Sequence, residues 1–171
     1  QKGKIMFRKI SDFKADWLYE SESTLNLFRH LTNESLGTKV WSEGRTLGFL
    51  AWHVVITLPE MMSKSGLRFS ALAEDTPDPN SVEKYLAHYQ DESKKVSDAI
   101  SEQWTDEMLG EEIELYGQKF ARGAILSMLV KHQAHHRAQM TVLMRQAGLN
   151  VPGIYGPSKE EWAQMGMPPM E

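Results

Sequence analysis

The sequence predicts an all-α fold: an up-and-down-type four-helix bundle followed by a short C-terminal helix. Three observations predict it. Four long segments repeat apolar residues at steps of three and four, turn-forming residues separate these segments, and 171 residues are about the length of one domain. We expect residues 1–171 to form a single bundle domain.

The first two helices are predicted at about Ser11–Leu36 and Thr46–Ser63. Residues at three- and four-residue steps mark the buried face of the first, and Gly37 follows it as a stop signal. The second is apolar on every face except at His53, so we expect it in the middle of the core. Pro59 within it predicts a kink or an early end.

The other helices are predicted at about Ser81–Gln103 and Arg122–Ala147, with one short helix after the capping box Ser158–Glu161. An unbroken stripe of residues at three- and four-residue steps runs along one face of the fourth helix. Gly148 is expected to end this helix in a left-handed conformation. Residues 104–120 show no clear period, and a short hairpin is one option there.

Composition argues against several classes of function. The chain has no cysteine, which excludes disulfides, thiolate metal ligands and a cysteine nucleophile. Its formal net charge of -4, with Lys and Arg scattered, argues against binding to DNA or RNA. No apolar run approaches the ~20 residues that span a bilayer, and the first residues lack the pattern of a secretory signal. We therefore expect a cytoplasmic protein that binds neither nucleic acid nor a membrane.

Two histidines on the fourth helix form the first candidate site. His132 and His136 are four residues apart, so both imidazoles leave one face of the helix, one turn apart. They lie in an otherwise apolar stripe, where each unpaired polar group would cost about 1–3 kcal/mol. One bound ion would satisfy both rings, at metal–nitrogen distances of about 2.0–2.1 Å for zinc.

His53 is the third candidate ligand, because it is the one polar residue in the centre of the most apolar helix. Burial should lower its pKa and keep the ring neutral, as metal binding requires. Three histidines leave at least one coordination position open, which is typical of catalytic or ligand-binding sites. The alternative is a set of ordinary core histidines, each hydrogen-bonded to a neighbour.

Three further residues are candidates for roles beside the metal. Glu60, two turns after His53, could act as a general base or accept a hydrogen bond from a ligand ring. Gln139 could orient a bound water or substrate, and Tyr155, beyond the fourth helix, could close over the site. Each also has an ordinary interpretation as a surface or packing residue.

The remaining histidines are predicted to lie outside the site. His30 and His88 fall on polar faces of their helices, where we expect them to be solvated. His135 flanks the pair but is off its stripe, so a structural role is expected, with a supporting or interface role as the alternative.

The block His132–Met140, followed by Arg145, Gly148, Pro152 and the run Tyr155–Pro157, resembles the DinB/YfiT-like superfamily. Members typically show a His-His-Arg-Gly-Gln block, then an arginine, a glycine and a Pro-x-Tyr-Gly-Pro-like tail. This chain has alanine where the block usually has glycine.

The resemblance implies a four-helix bundle, commonly dimeric, with one zinc- or nickel-type ion on His53, His132 and His136. It also implies a metal-dependent enzyme that acts on a small molecule. The reaction would be transfer of an external low-molecular-weight thiol, which only the resemblance favours, or hydrolysis. The alternative function is a non-catalytic, metal-binding stress-response protein.

Overall fold

Four long helices of the computed structural model pack around a continuous apolar core, and residues 7–168 are described. No helix in this range is both long enough and apolar enough to cross a bilayer. The predicted all-α bundle with a short last helix is confirmed. Its elements are α1 (Ile10–Arg29), α2 (Leu47–Lys64), α3 (Val82–Gln103), β1 (Glu112–Leu115), β2 (Gln118–Ala121), α4 (Arg122–Gln146) and α5 (Lys159–Gln164).

Contacts between the helices fix their directions. α1 and α3 are antiparallel, whereas α2 and α3 are parallel. The supporting contacts are Trp17 with Ser93 and Phe28 with Tyr85 for the first pair, and Trp52 with Tyr85 and Arg68 with Gln103 for the second. The order is therefore up, down, down, up rather than strict alternation, because the long connection of residues 65–81 returns the chain to the end where α2 began.

The first helix is shorter than its periodicity predicts. The prediction reached Leu36, but α1 ends at Arg29 and Asn33–Gly37 forms a separate 3₁₀ helix. That helix starts where the Thr32 hydroxyl accepts a hydrogen bond from the backbone N–H of Ser35. Leu36 is buried all the same, so apolar spacing alone did not reveal the break.

The second helix has nearly its predicted bounds but not its predicted burial. α2 passes through Pro59 and ends at Lys64, so the early end is not observed. It is also not buried on every side, because Phe49 is exposed and His53 is only half-buried. One face of α2 therefore remains open to solvent at the level of the histidine.

The last two long helices agree with their predictions to within a residue at each end, and α5 follows the predicted capping box. Ser81 caps α3 by accepting from the N–H of Lys84. Gly148 follows α4 with a φ of 73°, as a left-handed cap requires. α5 begins where the Glu161 carboxylate accepts from the backbone N–H of Ser158 at 3.0 Å.

The stretch between α3 and α4 contains the hairpin that was one option. β1 and β2 are antiparallel, with Leu115 opposite Gln118. Tyr116 and Gly117 have φ values of 52° and 74°, as the two central residues of a type I′ turn require. Tyrosine is uncommon in this conformation. Its hydroxyl lies 2.7 Å from the carboxylate of Glu60 on α2.

A buried ion pair connects α4 to α1. The side chain of Arg137 is 1% exposed and its guanidinium donates to the carboxylate of Glu20. It also donates, at 2.9 Å, to the Glu20 carbonyl and to the Thr24 hydroxyl. The Tyr155 hydroxyl donates to the same carboxylate at 2.8 Å, which fastens the chain after α4 to the bundle.

Replacing Arg137 with methionine should lower the free energy of unfolding by about 3–5 kcal/mol, because Glu20 would remain as a buried charge without its partner. Urea denaturation followed by circular dichroism measures the change. Arg145→Met is the matched control: its ion pair with Glu160 is part-exposed, so its loss should cost less than about 1 kcal/mol. Equal losses in the two variants would contradict this role of Arg137.

Candidate metal centre

Three imidazole rings meet between α2 and α4. The Nε2 atom of His132 lies 3.3 Å from Nε2 of His53 and 3.2 Å from Nε2 of His136. One nitrogen of each ring lies within 4.8 Å of the others, which is the arrangement of a group that could hold a metal ion. The structure therefore brings together the three histidines that the sequence singled out.

The packing of α2 against α4 produces this meeting point. His132 and His136 are one turn apart on α4, so their rings project side by side. On the facing helix, the carbonyl of Val54, the residue after His53, accepts from the buried Gln133 amide at 3.3 Å. That bond sets the level at which the ring from α2 faces the pair from α4.

The spacing fits a metal ion. Two ligands of a tetrahedral ion with metal–nitrogen distances of about 2.0–2.1 Å lie about 3.3–3.4 Å apart. The two observed Nε2 separations are within about 0.2 Å of that value. Nδ1 of His132 is buried without a hydrogen-bond partner among residues 7–168, so within this range the only polar contacts of the ring are those of its Nε2 with the other two rings.

Gln139 orients one of the rings. Its side-chain oxygen lies 2.7 Å from Nδ1 of His136 and accepts a hydrogen bond from it. This contact places the proton on Nδ1 and leaves the Nε2 lone pair directed at the meeting point. Gln139 thus contacts a candidate ligand ring, and its role in orienting water or substrate stays a prediction.

Burial keeps the three rings neutral. It is the largest cause that lowers the pKa of His53 and of His132, each to about 4. The positive charge of Arg45 lowers the pKa of His53 further, and Glu60 opposes it. Burial also lowers the pKa of His136. Neutral imidazole is the form that binds a metal ion, so all three rings are ready to bind at pH 7.

A cavity of about 300 Å³ adjoins His53 and His132 on the hairpin side. Glu60 lines it, accepting from the Tyr116 hydroxyl at 2.7 Å and pairing with Lys64 Nζ at 2.5 Å. Burial raises the pKa of Tyr116, so its hydroxyl stays protonated and donates. Glu60 therefore shares a cavity with His53 and His132, and its role there stays a prediction. No pattern in the sequence indicated Tyr116 as its partner.

Tyr155 lies elsewhere. Its hydroxyl bonds to Glu20 and to Arg137, on the side of α4 that faces α1. The expectation that it could close over the histidines is not met, and its ordinary packing interpretation holds.

The other histidines lie outside the group. His30 is exposed, as predicted. His88 is half-buried, with its ring 5.6 Å from the ring of Trp52, so it is less solvated than predicted. His135 is exposed, and its ring centroid is 4.9 Å from that of His136.

Comparison with known proteins places this chain in a family. The family model described as "DinB family" matches residues 6–169. The chain belongs to the DinB family. The resemblance first seen in the block His132–Met140 therefore extends over nearly the whole sequence.

The chain is similar in sequence to a curated protein and in fold to two solved structures. "Uncharacterized protein YrdA" from Bacillus subtilis (strain 168) is 46% identical over 162 residues, or 95% of this chain and 97% of that protein. The crystal structure of a DinB-like protein from Bacillus cereus ATCC 10987 is 39% identical, with a TM-score of 0.83 over 88% of this chain and 100% of that one. The DinB-like protein YjoA from Bacillus subtilis shares the fold alone, at 19% identity and a TM-score of 0.66 over 84% and 97% of the two chains.

The full chain, purified without a polyhistidine tag and loaded with zinc, should carry one ion per chain. At free zinc 1,000 times the Kd, binding should raise Tm by roughly 8–16 °C. His136→Ala should lose both the ion and the shift, because metal binding is linked to folding. Mass spectrometry of the metal and thermal denaturation measure these changes.

His135→Ala is the matched control for that experiment. This histidine is adjacent in sequence but exposed and outside the group, so its variant should keep the ion and the shift. Retention of zinc by His136→Ala, or equal loss by both variants, would contradict the ligand assignment.

Proposed function

We propose that this DinB-family protein is a metal-dependent enzyme in which His53, His132 and His136 hold one divalent transition-metal ion, zinc or nickel. The observation that carries the proposal is the meeting of three Nε2 atoms without a fourth protein ligand in the described part of the chain. Structural zinc sites usually have four protein ligands, whereas catalytic sites keep a position open for water or substrate. A small-molecule substrate would reach that position.

The residues around the site supply proton transfer. A divalent ion held there would supply Lewis acidity to an oxygen or sulfur atom of the reactants. Glu60, in the adjoining cavity, accepts the proton of the nucleophile. Tyr116 and Lys64 hold the Glu60 carboxylate in position through one contact each.

Among reactions that such a site supports, we favour transfer of an external low-molecular-weight thiol. The thiol gives its proton to Glu60, its sulfur bonds to an electrophilic carbon, and the leaving group departs with the electron pair of the broken bond. The resemblance to thiol-dependent members of the superfamily supports this choice. The thiol comes from outside, since the chain has no cysteine. Hydrolysis would use water in the same position.

We also propose that the protein is a homodimer in the cytoplasm and acts without nucleic acid. The DinB resemblance supports the dimer. The lack of cysteine fits the cytoplasm, and the net charge of -4 disfavours a nucleic-acid partner.

A panel of thiols tests the reaction. Zinc- or nickel-loaded protein is assayed with glutathione, cysteine and coenzyme A, each with 1-chloro-2,4-dinitrobenzene, and with 4-nitrophenyl acetate for hydrolysis. Turnover is expected with at least one pair. Glu60→Gln should lower kcat by about 10²–10⁴-fold at unchanged metal content, because the proton acceptor is removed.

Glu74→Gln is the control for the charge change. Glu74 also pairs with Lys64, at 3.1 Å, but does not line the cavity of Glu60, so kcat should change by less than about twofold. An unchanged kcat in Glu60→Gln would remove Glu60 as the base. Absence of turnover with every substrate at full metal loading would contradict the enzyme and leave the metal-binding stress-response role.

A further inference from the structure

α2 and α4 form a groove with the three histidines at its midpoint. The helices are antiparallel, since Leu50 shares a cavity with Leu143 and Met61 shares another with Met128. The Glu60 cavity adjoins the site at one end of the groove. A second cavity, of about 260 Å³, lies at the other end.

The second cavity, which we call the Arg45 pocket, has apolar walls and one cation. Its side chains include Val40, Trp41, Arg45, Leu50, Gln139 and Val142. Trp41 is 62% exposed and Val142 is 53% exposed, so large apolar surfaces face solvent around a concavity. Apolar walls with a few polar groups are typical of small-molecule sites.

The Arg45 pocket is joined to the histidines in two places. Gln139 lines it and accepts a hydrogen bond from His136. The guanidinium of Arg45 lies 4.8 Å from the centre of the Phe49 ring, and that ring stacks on His53 at 5.9 Å with 9° between the planes. One aromatic ring thus separates the cation from a histidine of the site.

Arg45 is available to an anion. Its side chain is exposed, and no carboxylate between residues 7 and 168 lies within salt-bridge distance of it. By contrast, Arg137 and Arg145 each have a carboxylate partner. A guanidinium presents a planar fork of donors that matches a carboxylate.

We propose that the Arg45 pocket binds a small amphipathic acid, with the carboxylate on Arg45 and the apolar body against Trp41 and Val142. This proposal rests on the proposed function, because the acid would be the substrate that reaches the three-histidine site. The charges of the groove agree with one orientation: an anionic end near Arg45 is far from the carboxylate of Glu60. The acid therefore lies along the groove with its reacting atoms at the histidines.

Calorimetric titration of the zinc-loaded full chain with octanoate, and with neutral octanamide, tests the proposal. Arg45→Met keeps the length of the side chain but removes the charge, and should weaken octanoate binding about tenfold or more. Arg45→Lys should stay within about threefold of the natural chain. Octanamide should bind equally to the natural chain and to Arg45→Met, because it has no charge to lose.

Lys39→Met is the matched control, since Lys39 is exposed in the same connection but does not line the pocket. It should leave octanoate binding within about twofold. Unchanged octanoate affinity in Arg45→Met, or an equal loss in Lys39→Met, would overturn the proposal. Conversion of a dimer to a monomer by Trp41→Ser, seen by light scattering, would also overturn it, because the surface would then be an interface between copies.

Failure of this subsite and failure of the metal centre give different results. If zinc content is full and octanoate binds independently of Arg45, the carboxylate binds elsewhere and only the subsite is wrong. If the chain takes up no zinc, the metal-dependent function is wrong. An Arg45-dependent loss of octanoate affinity in that zinc-free protein would still support the pocket.

Discussion

Three imidazole nitrogens face one another between α2 and α4, with two separations of 3.2–3.3 Å, and a positive charge placed among them would attract the lone pairs of the neutral rings. The packing of the bundle holds the rings at this spacing. Because burial keeps the rings neutral, they keep the lone pairs that a metal ion requires. The site is thus organised by the apolar core before any ion binds, and one ion would satisfy the three rings at once.

On α4, each of the two histidines of the site is followed by a buried polar residue that ties the helix to its neighbours. Gln133 follows His132 and bonds to the Tyr89 hydroxyl on α3 and to a carbonyl on α2. Arg137 follows His136 and bonds to α1. Buried polar groups are costly unless each finds its partner, so only one rotation and register of α4 satisfies both. That register is the one that directs the two rings toward α2.

Apolar periodicity was enough to locate α3, α4 and the histidine pair, because a stripe at helical spacing reports directly which face is buried. It could not locate the end of α1, since Leu36 stays buried after the Thr32 cap starts a new turn. Gln133 and Arg137 were missed for a related reason: polarity in a sequence indicates exposure, and only the fold shows that these groups have partners inside. The direction of α3 depends on how a long connection crosses the bundle, which local pattern does not specify.

The same limits explain which parts of the site could be predicted from the sequence. His53 was identifiable as the polar exception in an apolar helix, whereas Tyr116 and Arg45 reach the groove from a turn and a connection without periodicity.

The most direct test of the three-histidine metal centre is X-ray absorption at the zinc edge of the zinc-loaded full chain, purified without a polyhistidine tag. We expect three imidazoles at about 2.0–2.1 Å with one or more oxygen ligands from water, and loss of one imidazole in His53→Ala. A first shell with fewer than three imidazoles, or an unchanged spectrum in that variant, would contradict the three-histidine centre.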